Sequence, residues 1–320
     1  FCNQGGLMIK EEFYFDSRDG ENRIHAVRYT PDDGNVRGIV QIVHGMAEYV
    51  ERYENLAEFL TKRGILVTGE DHLGHGKSVS EGGSFGYFCE QDPATVVVRD
   101  VHRLKKITEE QYPQVPYIIL GHSMGSFIAR NYLCRYGSGI GGAVIVGTGM
   151  QSAGLIFASK AMAGIQKLFC GSKHVSHFID KAAFGGYNKR IDSPRTSSDW
   201  LSRNTENVDR YIEDELCGFT FTVNGFQTLF ELIRRLQKQE NLEKVPQNLP
   251  ILMVSGAEDP VGDYGKGVHK ACDSLKRAGV KNITVKLYEN DRHELLNEDD
   301  AEVAMEDIWQ WICKEIPGVA

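Results

Sequence analysis

Gly121-His122-Ser123-Met124-Gly125 sets a serine hydroxyl between two glycines, the G-x-S-x-G spacing of a nucleophile exposed on a sharp strand-to-helix turn. The flanks suit that turn: residues 117–120 are apolar and β-leaning, and residues 127–133 are spaced like a helix. Such a turn strains the serine backbone and leaves no room for side chains at the glycines. A serine hydroxyl is a poor nucleophile at neutral pH. It needs a base, and the base needs a third group to hold its tautomer and stabilise its charge. Both partners are sought beyond Ser123, on loops that follow later strands. Asp259 follows the apolar strand 251–254 through Ser255-Gly256-Ala257-Glu258 and precedes Pro260. Glu258 and Asp263 compete on the same loop; Asp259 is preferred because Gly-x-x-Asp-Pro turns the backbone just past the strand. His293 follows a strand at 283–288 and precedes the last helix. Among ten histidines its nearest rival is His269, which falls inside a helical pattern.

Acyl transfer also needs donors aimed at the developing oxyanion, worth roughly 3–4 kcal/mol where one is removed. The backbone N–H of Met124, directly after the serine, is one candidate. The loop after the third strand, His44-Gly45-Met46-Ala47-Glu48, offers the other through the N–H of Met46. Asp71-His72-Leu73-Gly74-His75-Gly76-Lys77-Ser78 lacks phosphate-loop spacing and is read as a tight loop beside that oxyanion hole. It has no supporting ligand cluster, and His174-x-x-His177 supplies only two ligands, so neither a metal nor a cofactor is expected.

At 320 residues, 41% hydrophobic and 25% charged, the chain has the composition of a soluble globular protein. Its net charge of -8 argues against nucleic acid as a partner. Seven scattered cysteines without C-x-x-C spacing fit reduced thiols. No stretch approaches the roughly eighteen apolar residues of a membrane-spanning helix. Residues 1–7 lack the plan of a signal peptide, and Met8 is read as the natural start, so a cytoplasmic location is expected.

The elements that must position these residues alternate. Strand patterns at 11–17 and 23–30 form a hairpin around Arg18-Asp19-Gly20-Glu21. Strands at 38–43, 65–68, 117–120, 143–146, 251–254 and 283–287 then alternate with helices at 53–63, 96–111, 127–133, 265–279 and 299–316, which predicts a mostly parallel sheet flanked by helices. The alternation stops between 151 and 247. The expected organisation is therefore a core of 9–150 and 248–317, with a helical cap of 151–247 inserted at the carboxyl edge of the sheet.

With these motifs in place, the chain resembles the α/β-hydrolase fold and, more narrowly, the monoacylglycerol lipase and lysophospholipase group of serine hydrolases. The resemblance rests on His44-Gly45-Met46-Ala47-Glu48, Asp71-x-x-Gly74-His75-Gly76-x-Ser78, Gly121–Gly125, Gly256-x-x-Asp259-Pro260, Arg292-His293-Glu294 and Asp214-Glu215-Leu216-Cys217-Gly218-Phe219, and spans about residues 9–315. It implies Ser123 as nucleophile, Asp259 and His293 as its partners, and Met46 and Met124 as oxyanion donors. The implied substrate is a monoacylglycerol or similar lipid ester; lysophospholipids and short-chain or aromatic esters are the alternatives. Met46 stands where the group often carries a small residue. An aminopeptidase would need an acid for the substrate amine, for which Glu48 or Glu213 is available. An acyltransferase would differ in excluding water, and a non-catalytic binding scaffold would usually lack a triad member.

Residues 155–169 place Leu155, Phe157, Ala158, Ala161, Met162, Ile165, Leu168 and Phe169 on one arc of a helix, with Lys160 and Lys167 opposite. The plain expectation is a helix burying that arc against the core. The alternative is a lid that guides acyl chains or touches a lipid surface. Phe157, Phe169 and Phe219 are the candidate substrate contacts. No arginine cluster is evident in the cap region, which favours neutral esters.

Overall fold

Runs such as Gly38–Val43 and Ile251–Gly256 have almost no polar face to offer water, so they form strands only where both faces are covered. In a computed structural model describing residues 8–320, they lie inside an eight-stranded sheet. The chain runs β1 (Ile9–Asp16), β2 (Arg23–Thr30), β3 (Gly38–Val43), α1 (Glu54–Thr61), β4 (Ile65–Glu70), α2 (Pro93–Gln111), β5 (Tyr117–His122), α3 (Met124–Tyr136) and β6 (Gly142–Val146). It continues through α4 (Ala153–Cys170), α5 (His177–Phe184), α6 (Thr205–Glu213), α7 (Val223–Leu236) and α8 (Gln239–Leu242) to β7 (Ile251–Gly256), α9 (Lys266–Arg277), β8 (Ile283–Tyr288) and α10 (Ala301–Glu315). The strand order is β1-β2-β4-β3-β5-β6-β7-β8, and only β2 runs against the rest. The expected mostly parallel sheet with flanking helices is what forms. Residues 1–7, to which the reading of Met8 as the start applies, lie outside the described residues.

Two apolar layers cover the sheet. α2, α3, α7 and α9 share one core cluster, and α1 and α10 close the other face. Because β3, β5, β6, β7 and β8 are parallel, their carboxyl ends meet at one edge, where the loops after 43, 122, 146, 256 and 288 converge. Among the described residues no helix is long and apolar enough to cross a membrane.

The excursion between β6 and β7 adds no strand to the sheet, but it is not one layer. α7, counted with the cap from sequence, packs on α3 and buries Phe226, Leu229, Phe230 and Ile233 in the main core. α4 lies over α7, and here the plain expectation is overturned. Its inward face is Ile156, Ala163 and Lys160, while Phe157 is 77% and Phe169 84% exposed; Leu155, Ile165 and Leu168 are exposed with them. The physical reason is on α7, where Glu231 pairs with Lys160 and draws it inward.

Phe226→Ala should therefore cost about 3–5 kcal/mol in urea unfolding, whereas Phe169→Ala should change stability by no more than about 0.5 kcal/mol. Comparable losses would mean that α4 and α7 form one structural layer.

Candidate active site

β5 ends at His122, and α3 begins at Met124. Between them Ser123 has φ 55° and ψ -121°, a left-handed conformation that side chains avoid and that costs on the order of 1–3 kcal/mol. Its N–H donates to the carbonyl of Val146 at 3.0 Å. The flanking glycines are required by packing. A Cβ on Gly125 would collide with the carbonyl of Val43 and stand 2.5 Å from that of His44, and one on Gly121 would stand 2.7 Å from Ala129. The start of α3 is thus pressed onto the end of β3, which brings the 44–48 loop beside the serine. A Cβ on Gly45 would lie 3.0 Å from that of Ser123. The N–H of Met124, at the first helical position, is one that the helix itself leaves unpaired. Ala47 holds φ 54° in the facing loop, and its carbonyl accepts the N–H of Gly218 at 3.0 Å.

His293 Nδ1 lies 2.9 Å from Asp259 Oδ2, and both residues are buried. Asp259 also accepts Ser255 Oγ at 3.2 Å and the N–H of Val261 at 2.8 Å. With the Nδ1 proton committed to the carboxylate, Nε2 is the nitrogen left to accept a proton. The His293 ring is flanked by His122, 4.7 Å away between centroids, and by Trp200 at 5.2 Å. Gly147 completes its seat, since a Cβ there would stand 3.1 Å from Cε1. The rivals are elsewhere: Glu258, Asp263 and His269 are exposed. Ser123, Asp259, His293 and the loop of Met46 therefore share the carboxyl edge. Phe219 reaches it too, following Gly218 and packing 4.9 Å from Phe85 and 5.3 Å from His75. Phe157 and Phe169 do not, because they project from the outer face of α4.

Sequence reasoning missed the charges behind the site. Glu48, considered only as a ligand for an amine, is buried and fully engaged. It accepts the N–H of Gly45 at 2.6 Å, Tyr53 Oη at 2.8 Å and Arg52 at 2.8 Å, and lies 3.3 Å from His122 Nδ1. Arg52 also grips Glu294 with two bonds, of 2.7 and 2.8 Å. His122 Nε2 lies 3.1 Å from the carbonyl of His293 and donates to it. One carboxylate thus ties the 44–48 loop, the elbow and the histidine loop together. Burial resists ionisation of Glu48, yet the bond from His122 and the charge of Arg52 hold its carboxyl well below the usual range. Burial likewise opposes a charge on His122, and the bond to Glu48 outweighs it and raises the pKa. The available signal was spacing, since Glu48 and Arg52 stand four residues apart beside the glycine loop. Glu294 stood in the Arg292-His293-Glu294 motif without a role of its own, and Trp200 had no local signal.

A second buried group backs the same loop. His44 Nε2 accepts the N–H of His72 at 3.0 Å, so His44 carries its proton on Nδ1, bonded to the carbonyl of Gly45 at 2.8 Å. Burial, with the charge of His75, pushes the pKa of His44 down to about 4; burial and His72 push that of His75 down to about 3. A metal has one geometric candidate among the described residues, Glu12, His25 and Glu51, but Lys77 already bridges the two carboxylates at 2.7 and 3.0 Å.

A mostly parallel sheet carrying a serine on a strand-to-helix turn, opposite a buried histidine–carboxylate pair, defines an α/β hydrolase. The profile of the family described as "Serine aminopeptidase, S33" matches residues 34–300, and the chain belongs to that family. It is 29% identical over 273 residues to the monoglyceride lipase of Rattus norvegicus, covering 85% of this chain and 80% of that protein. It is 27% identical over 289 residues to the monoacylglycerol lipase of Mycolicibacterium smegmatis, covering 90% and 92%. The crystal structure of a highly thermostable carboxyl esterase from Bacillus coagulans in complex with glycerol superposes with a TM-score of 0.89 at 31% identity, covering 97% of this chain and 99% of that one.

Two outcomes follow from the buried groups. His44 is neutral in the fold but takes up a proton near its ordinary pKa of 6.5 when unfolded, so its contribution is complete above pH 6.5 and is lost as the pH falls towards 4. His44→Gln should make the fall in stability over that window shallower, by at most about 1.4 kcal/mol per pH unit; parallel curves in urea titrations at several pH values would contradict this. Glu48→Gln keeps the shape but weakens the grip on Gly45 and Arg52, and should lower kcat by about 10- to 100-fold with little change in KM. A change confined to KM would place Glu48 at the substrate instead.

Proposed function

We propose that this carboxylic ester hydrolase cleaves monoacylglycerols or closely similar lipid esters through an acyl-enzyme on Ser123. In this reading Ser123 Oγ attacks the ester carbonyl while His293 Nε2 takes its proton. Asp259 holds the imidazole through Nδ1 and stabilises its positive charge. The N–H groups of Met46 and Met124 take the negative charge that forms on the carbonyl oxygen. His293 then passes the proton to the leaving alcohol, and a water molecule activated by the same histidine frees the acid. The observation that carries the chemistry is the 2.9 Å pairing of His293 with Asp259 at the edge where Ser123 is strained into its turn. The observation that favours a lipid ester is the outward apolar face of α4, which a water-soluble substrate would not need.

We place the cap in residues 151–222, with α4 as a lid whose outward face meets acyl chains before they reach the edge of the sheet. Lysophospholipids and short-chain or aromatic esters remain the alternatives. An aminopeptidase is disfavoured, because Glu48 is engaged on every side and Glu213 is exposed on α6.

A fluorophosphonate probe should label the wild-type protein and not Ser123→Ala, with the fold kept; a labelled Ser123→Ala would remove Ser123 from the mechanism. Phe157→Ser with Phe169→Ser should then reduce hydrolysis of long-chain monoacylglycerols about tenfold more than that of p-nitrophenyl acetate, roughly the effect of one to two buried methylene equivalents. Equal losses on both esters would sink the lid assignment.

A further inference from the structure

Arg190, Arg203 and Arg292 stand far apart in the chain, so no local spacing announces that they share one groove. The groove holds about 320 Å³. The excursion between β6 and β7 contributes Arg190, Trp200 and Arg203 to it, and the loops after β7 and β8 contribute Glu258, Tyr264 and Arg292. Arg203 is already engaged, by Asp291 and by Asp300 at 2.9 Å. The other two arginines have no acidic partner among the described residues. The guanidinium carbon of Arg190 lies 3.4 Å from the centre of the Tyr264 ring, a stack that fixes the group and leaves its N–H donors free. Arg292 donates through Nη1 to the carbonyls of Asp199 and Ser202 at 2.7 and 3.0 Å, and its Nε and Nη2 make no hydrogen bond among the described residues. The one carboxylate in the lining is that of Glu258, which is exposed. On a chain of net charge -8, a concave site with two unpaired guanidinium groups against one carboxylate is suited to an anion.

We propose that this groove binds the phosphate of a small phosphate monoester. A carboxylate has about four acceptor sites, fewer than the free donors of Arg190 and Arg292 together, whereas the terminal oxygens of a phosphate can take a fork from each. Trp200 and Tyr264 wall the groove with rings that suit the organic part of such a ligand. Occupancy reaches the catalytic edge through two neighbours: the Trp200 ring packs 5.2 Å from that of His293, and Arg292 directly precedes His293. A phosphate held by Arg190 and Arg292 therefore ties the excursion to the histidine loop beside the His293–Asp259 pair. This site goes beyond the lipid-ester reading and does not depend on it. The phosphate belongs either to a free monoester or to the head of the ester being cleaved, and both present the same group to the arginines.

The test is isothermal titration calorimetry with glycerol 3-phosphate, and with glycerol as the uncharged control. Glycerol 3-phosphate should bind at least about tenfold more tightly than glycerol, the difference made by charge-assisted hydrogen bonds. Arg190→Gln should weaken it about tenfold and leave p-nitrophenyl acetate hydrolysis unchanged. Glu258→Gln should tighten it about threefold by removing the opposing charge, a gain that a damaged fold would not produce. Hydrolysis of 1-oleoylglycerol 3-phosphate and of 1-oleoylglycerol separates the two sources. A KM about tenfold lower for the phosphate ester, with the advantage lost in Arg190→Gln, makes the groove the seat of a substrate head. Equal KM values alongside tight glycerol 3-phosphate binding make it a site for a free monoester. Glycerol 3-phosphate binding no tighter than glycerol, binding that Arg190→Gln leaves unchanged, or binding that Glu258→Gln fails to tighten would overturn the proposal. The lipid-ester reading would stand or fall separately, on whether 1-oleoylglycerol is hydrolysed.

Discussion

The close approach of α3 to the end of β3 governs the site. Gly125 sits against the carbonyls of Val43 and His44, where no other residue fits. That contact makes Ser123 adopt φ 55°, and it brings Gly45 against Ser123. It therefore sets both the exposure of the hydroxyl and the position of the loop that faces it. A larger residue at Gly125 would move the start of α3, and with it the N–H of Met124. The central sheet supplies the rigidity for this, because β3 and β5 are paired parallel neighbours buried on both faces.

A second constraint ties the loops to one another. Buried ion pairs are often no better for stability than apolar packing of the same volume. The set around Glu48 and Arg52 is better understood through geometry: it joins a glycine N–H after β3, a histidine at the end of β5 and a glutamate after β8. These three points are 45, 122 and 294 in sequence, and charged hydrogen bonds hold them in one register. Removing one partner would leave an uncompensated charge away from water, so the set acts as a unit.

The outer helix of the β6–β7 excursion follows a different rule. The inward side of α4 is selected by the attraction of Lys160 to Glu231, with Ile156 and Ala163 filling the contact. Its aromatic side is left in solvent. The sheet edge therefore keeps water from a histidine–carboxylate pair, while the outer side of α4 leaves apolar groups in solvent.

Much of the molecule was legible in the chain. The elbow, the acid after β7 and the histidine after β8 could be placed because strand-ending loops carry short local patterns, and the strand and helix spans agree with those patterns to within a few residues. What sequence could not specify was anything resting on the partner of a side chain. The helical wheel of α4 identified an apolar arc correctly but not which way it faces, because Glu231, which decides it, lies more than sixty residues away. α7 falls in the excursion between β6 and β7, and that its apolar face fits α3 could not be read from its place in the chain. Glu48 read as a free carboxylate until the fold surrounded it with Gly45, Arg52, Tyr53 and His122. Sequence alone determined the class of scaffold and the residue types offered to the chemistry, since those depend on local periodicity and turn geometry. Tertiary structure decided which charges are paired, which faces are wet and which aromatics meet the site, because those depend on residues brought together only by folding.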